Sequence, residues 1–320
     1  MAALALLAPV AAVAQSTVRL EGELAGEPAL VEVAGLDSAA ADTAARAGWI
    51  ALAQADGELR ALERAFEEAA GGQVAPGDER FALLERADRF CRWSDGVVGA
   101  LGGKLFRLWG MRFPAPGRPA PAVLAGAVDS ARCERLALDR AARLARVAAG
   151  TEVDLMPFEL GWAVDRAVTA LAAAGAANVR VRLGGVERGA GPGPDGKGWR
   201  VTPPRLPGAA APLDPFYLRD RASALLVASD RPIDLGGDAA PRFLDLRRGR
   251  SSAGVLAVVV VTEVAADAQA LGWAMFALGA GAGQQRLGNL RPEPSVLWAL
   301  GSGEGEPLLA VTHWSAVPKR

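Results

Sequence analysis

Apolar and polar positions divide the chain into strand-like and helix-like stretches. Val18–Val33 alternates loosely and predicts two short strands folded around Gly26-Glu27-Pro28. From Asp37 to Ala70 the residues Trp49, Ile50, Leu52, Leu59, Leu62 and Phe66 fall at helical spacing, with Asp37 or Ser38 to cap the helix and Gly71-Gly72 to stop it. A second helix is predicted over Glu79–Trp93, with Phe81, Leu84, Ala87, Phe90 and Cys91 on its apolar face. Asp95–Phe113 is Gly-rich and then apolar, and Pro114–Pro121 is a loop carrying four prolines. Ala122–Ala149 reads as helix, Glu152–Leu155 as a short strand, and Leu160–Ala174 as a helix closed by Gly175. Strands follow at Val179–Leu183, Trp199–Val201, Leu225–Ala228 and, most clearly, Ala253–Thr262. An apolar helix over Ala266–Gly279 and closing strands at Val296–Leu300 and Leu308–Thr312 complete the chain. Strands mixed with long helices in both halves place it in the α+β or α/β class.

Composition narrows the chemistry. The 320 residues are 51% hydrophobic and 22% charged, which excludes a disordered chain. Formal net charge is −1, from 35 basic and 36 acidic residues, and no block of like charge stands out. No nucleic-acid partner is therefore expected. One His, His313, and two Cys, Cys91 and Cys133, rule out His-rich metal centres, His/Cys zinc sites and four-Cys clusters. Met1–Ala14 is almost wholly apolar and ends in Ala12-Val13-Ala14, the small-x-small form of a signal-peptidase site. It predicts an export-signal remnant and a periplasmic protein. The other reading is a buried apolar strand in a cytoplasmic one. No later run reaches the length of a transmembrane segment. The two Cys fit a disulfide and two separate buried thiols equally well.

Six stretches then carry a likeness to one family. Asp95-Gly96-Val97-Val98-Gly99 runs without a gap to Leu108-Trp109-Gly110. Val153-Asp154-Leu155-Met156-Pro157-Phe158-Glu159-Leu160-Gly161 continues to Asp165. Leu183-Gly184-Gly185-Val186 precedes Gly198-Trp199-Arg200-Val201, and Val227-Ala228-Ser229-Asp230 precedes Arg242-Phe243-Leu244-Asp245 through Gly249. Ala266-Asp267-Ala268 opens a helix reaching Leu278-Gly279. In order and spacing these stretches resemble the ApbE-type flavin transferases, the FAD:protein FMN transferases. The resemblance implies an α+β fold with mixed or antiparallel sheets, residues 15–320 forming one domain in two lobes. It also implies transfer of FMN from FAD to a Thr of an acceptor flavoprotein, with release of AMP and use of Mg²⁺.

By the same resemblance, Val97, Val98, Gly99, Asp154, Leu160, Gly184, Gly185, Ser229 and Arg242 match positions that hold the flavin nucleotide. Pro157, through its carbonyl, and Asp267 match metal positions, and Asp267 is the catalytic candidate. Several family side chains are replaced. Leu160 stands at a Lys, Arg242 at a His, and Val98-Gly99-Ala100-Leu101 at a Phe-Asp-Pro-Thr. Counted from Asp267, the metal-binding Thr position is Leu271; counted back from Gly279, the Asp and Thr positions are Gln269 and Trp273. Either way the oxygen cluster that Mg²⁺ prefers is reduced. Asp154 and Asp267 also fit local capping roles, and Ser229 an ordinary turn. Arg242, Arg247, Arg248 and Arg250 fit a solvated basic face or a diphosphate clamp. The alternative function is a catalytically degenerate flavin-binding or accessory protein that contacts a redox partner.

Overall fold

The structure, a computed structural model, describes residues 16–113, 117–206, 208–235, 238–303 and 305–314. The apolar segment Met1–Ala14 lies outside the described residues. Eight strands form the central sheet: β1 (Ser16–Leu24), β2 (Glu27–Leu36), β3 (Val179–Leu183), β4 (Val186–Ala190), β5 (Arg221–Val227), β6 (Val255–Thr262), β7 (Ser295–Leu300) and β8 (Leu308–Thr312). They lie side by side in chain order, and every pairing is antiparallel. Register is fixed by apolar pairs such as Val31 opposite Val181 and Val258 opposite Trp298.

Six helices interrupt this meander: α1 (Ser38–Ala69), α2 (Asp78–Trp93), α3 (Gly103–Leu108), α4 (Pro121–Ser130), α5 (Glu159–Ala173) and α6 (Ala265–Leu287). Asp37 caps α1 by accepting from Ala39 N at 3.1 Å and Ala40 N at 3.0 Å, and Ala70 and Gly71 end it with positive φ. The helices α1, α5 and α6 cover one face of the sheet. The period of two is clearest in β6: Val258 and Val260 enter this large core, whereas Val259 and Val261 join Leu297, Phe216 and Leu218 beneath the opposite face. The hairpin of Trp199–Val201 and Phe216–Leu218 covers that second cluster.

Two expectations need correction. Residues 122–149 are not one helix: α4 ends at Ser130, a turn follows at Cys133–Arg135, and Leu136–Asp139 pairs with Leu144–Val147 as a hairpin. Glu152–Leu155 is no strand, having only a single bridge from Asp154 to Leu101. The helix expected to end at Gly279 does break there, at φ 73°, and a second helical segment continues α6 to Leu287. Cys91 and Cys133, left open by sequence, form a disulfide that ties α2 to the turn after α4. No helix among the described residues is long and apolar enough to cross a membrane.

Candidate functional site

A cleft of about 450 Å³ opens where the β1–β2 turn, α1, the segment after α3 and the start of α5 meet. Leu52 and Arg60 come from α1, Trp109 and Arg112 from the segment, and Glu159 and Leu160 from α5. A recess of about 50 Å³ shares Glu27, Glu159, Leu160 and Arg242 with it and adds Met156, Gly185, Asp230, Gln269 and Trp273. The floor is a chain of ion pairs. Arg112 grips Asp154 bidentately, Nε to Oδ2 at 2.8 Å and Nη2 to Oδ1 at 2.5 Å, and reaches Glu159 at 2.7 Å. Arg60 donates to the same Glu159 oxygen at 2.8 Å and to Glu63 at 2.6 Å. Glu63 accepts the Leu155 N–H at 3.1 Å, and Asp154 accepts that of Met156 at 2.9 Å.

These contacts set the charges. Burial works against the Arg112 cation, but its bonds to Asp154 and Glu159 outweigh that and hold its pKa above the ordinary value. Burial, with the neighbouring Asp154, pushes the Glu63 carboxyl up to about 7. Burial also raises Glu27, against the pull of Arg231, whose guanidinium lies 2.9 Å away. Arg242 is different. Burial lowers its pKa against the pull of Glu159, Asp230 and Glu27, none of which forms an ion pair with it among the described residues. Its hydrogen-bond partner there is the Met156 Sδ at 3.5 Å.

The structure brings some of the sequence-predicted residues to this place and not others. Leu160, Gly185 and Arg242 line it directly. Gly184, at φ 56°, sits against it: a Cβ there would lie 2.8 Å from Glu27 Oε2 and 3.3 Å from Leu160 Cδ1. Asp154 lies beneath, fully engaged by Arg112. Pro157 is buried beside Met156. Ser229 is exposed in the turn after β5, and it is the next residue, Asp230, that lines the recess. Val97, Val98 and Gly99 line neither. They are packed in the core, Gly99 against Cys91, and the adjacent Ala100 carbonyl accepts the Asp154 N–H at 2.8 Å.

Asp267 is not brought to the cleft. It pairs with Arg86 and lines a separate hollow with Phe90, Trp93 and Leu271. Nor does it cap α6, because the Asp165 carboxylate accepts from Ala265 N at 3.0 Å and Ala266 N at 2.9 Å. Two residues on, the helix turns Gln269 into the recess, and Trp273 one turn further on lines it too. The basic cluster also divides. Arg247 and Arg248 turn to Asp245, leaving Arg242 in the cleft. Sequence reading passed over Arg60, Arg112 and Glu159. Glu159 lies inside the central motif and Arg112 just beyond Leu108-Trp109-Gly110, but ion pairing across the chain leaves no local signal.

The residues present do not fit Mg²⁺. Among the described residues no three His, Cys, Asp or Glu side chains are grouped to hold a metal. At the position counted back from Gly279 the Gln269 amide is already committed: Nε2 donates to the Met156 carbonyl at 3.0 Å, and Oε1 accepts the Gly161 N–H at 2.8 Å. Trp273 fills the other position and donates its indole N–H to the Leu244 carbonyl at 2.9 Å. A hard cation needs several free oxygens, and at these two positions the side chain is either hydrogen-bonded or an indole ring.

The fold is that of solved flavin transferases. The ApbE protein of Thermotoga maritima superposes with a TM-score of 0.83 at 20% identity, covering 94% of this chain and 98% of that one. The flavin transferase ApbE of Vibrio cholerae gives 0.78 at 18%, covering 95% and 99%. The Pseudomonas stutzeri flavinyl transferase ApbE gives 0.77 at 18%, covering 94% and 96%. No curated protein matches the sequence. The ApbE family matches residues 23–298, nearly the whole length over which the sheet and its helices are built, and the chain belongs to that family.

Proposed function

We propose that this chain is a flavin-nucleotide-binding member of the ApbE family that holds FAD in its cleft without carrying FMN transfer through. The observation behind this reading is Gln269, a neutral amide closed on Met156 and Gly161 where a metal ligand would stand. Family membership and the flavin transferases of the same fold support FAD as the ligand. A volume of about 450 Å³ suits part of such a molecule, and the lining combines apolar Leu52, Trp109 and Leu160 with cationic Arg112 and Arg242. Phosphoryl transfer requires neutralisation of the developing charge and a group that orients the attacking hydroxyl. Asp154 and Glu159 are tied to Arg112, and Leu160 offers no charge. Losing one such electrostatic contact costs about 10²–10³ in rate.

The partner is then a flavoprotein or redox protein that is bound rather than modified. The disulfide supports a periplasmic place, since such bonds persist in oxidising compartments. The second reading, favoured by family membership alone, is an active FAD:protein FMN transferase. Incubating the protein with FAD, Mg²⁺ and an acceptor domain bearing a flavinylation Thr separates the two. FAD is expected to bind, and the acceptor mass to stay unchanged. Mg²⁺-dependent gain of FMN by the acceptor refutes the non-catalytic reading, and absence of FAD binding refutes both.

A further inference from the structure

Among the arginines that line the cleft, Arg242 is the one with no direct ion pair among the described residues. Arg60, Arg112 and Arg231 each meet a carboxylate within 2.9 Å, while Glu27 and Glu159 are taken by those same cations. Arg242 lines both the cleft and the recess; its hydrogen-bond partner is a thioether sulfur, and Glu159, Asp230 and Glu27 act on it without forming an ion pair among the described residues. A half-buried guanidinium without a direct ion pair keeps N–H donors free, and an incoming anion can take them. The place beside it where a divalent cation would stand is closed by the Gln269 amide and the Trp273 ring.

We infer that Arg242 does the work of the missing cation, binding the diphosphate of a nucleotide directly, so that ligand binding in this cleft is independent of Mg²⁺. The inference rests on the reading that the cleft takes a flavin nucleotide, and it specifies how the anionic part is held. A planar guanidinium offers several N–H donors in a fork that matches two phosphate oxygens, and it stays charged at any physiological pH.

The test is calorimetric titration of the full chain with FAD, ADP and riboflavin, each in excess EDTA and again in Mg²⁺. Wild type is expected to bind FAD and ADP equally well in both. Arg242→Met is expected to lose about 10- to 100-fold in affinity for FAD and ADP, the range for a hydrogen bond to a charged group, and to keep its affinity for riboflavin, which has no phosphate. Retained riboflavin binding shows that the variant is folded. Arg242→Lys, which keeps a point charge, should recover part of the loss. FAD that binds only with Mg²⁺, or Arg242→Met with undiminished ADP affinity, overturns the inference while leaving flavin binding standing. Wild type that binds no FAD in either condition overturns the functional reading as well.

Discussion

Glu63 shows how much a single residue beneath the cleft carries. Its carboxyl receives the Leu155 N–H and the Arg60 guanidinium, yet burial and the nearby Asp154 hold its pKa at about 7, above the usual 4.5. Between those values the folded protein keeps a proton that the unfolded chain has released. Stability contributed by this group is therefore present at acid pH and lost as pH rises from about 4.5 through about 7. Thermal melts of wild type and Glu63→Gln across that range should show a shallower decline in the variant. The raised carboxyls Glu27, Asp165 and Glu187 remain in both proteins, so the difference in slope reports Glu63 together with its interaction with Asp154. Equal slopes would mean that Glu63 titrates normally. Motif order groups Leu160, Gly185 and Arg242, and the fold does bring these three to the candidate cleft and its recess. Asp267 lies apart from them, because two residues along a helix turn a side chain through about 200°, from the recess to the hollow beside Arg86.

At the scale of elements, the crossing of α5 and α6 organises the inner wall. Gly161 lies so close to the start of α6 that an added Cβ would stand 2.3 Å from the Ala265 carbonyl oxygen and 2.5 Å from Ala266 Cα. Both are backbone atoms and cannot rotate away. Gly161→Ala should destabilise the protein by about 3 kcal/mol, the upper end for overpacking, measurable by urea unfolding. A change below about 0.5 kcal/mol, as at ordinary surface positions, would show that the crossing relaxes freely. Most elements were visible in the sequence, since strands such as Ala253–Thr262 are rich in β-branched residues and α1 has both a cap and a stop. The hairpin at 136–147 was hidden by composition. Leu136-Ala137-Leu138 and Leu144-Ala145-Arg146-Val147 are mostly good helix formers, and only tertiary burial of Leu136, Ala145 and Val147 selects the extended form.

Over the whole molecule, strands that neighbour in sequence also neighbour in space, and the long excursions between them carry the cleft. One excursion is stapled. The Cys91–Cys133 bond closes a loop of 42 residues, for which chain entropy gives about 4 kcal/mol. Reduction should lower the melting temperature by on the order of 10 °C. An unchanged melting temperature, with both thiols titrated as free, would show that packing alone holds α2 in place. A different constraint follows from Asp165. It belongs to α5, yet it closes the first turn of α6 and also binds Arg188 on β4 at 2.6 Å. Gln269 returns the tie from α6 to Gly161 on α5. Two helices latched in both directions and pinned to the sheet cannot hinge against each other, so the wall bearing Leu160, Gln269 and Trp273 is a template rather than a jaw. Any adjustment to an incoming ligand falls to the opposite rim, where Trp109, Arg112 and Arg231 sit on irregular chain.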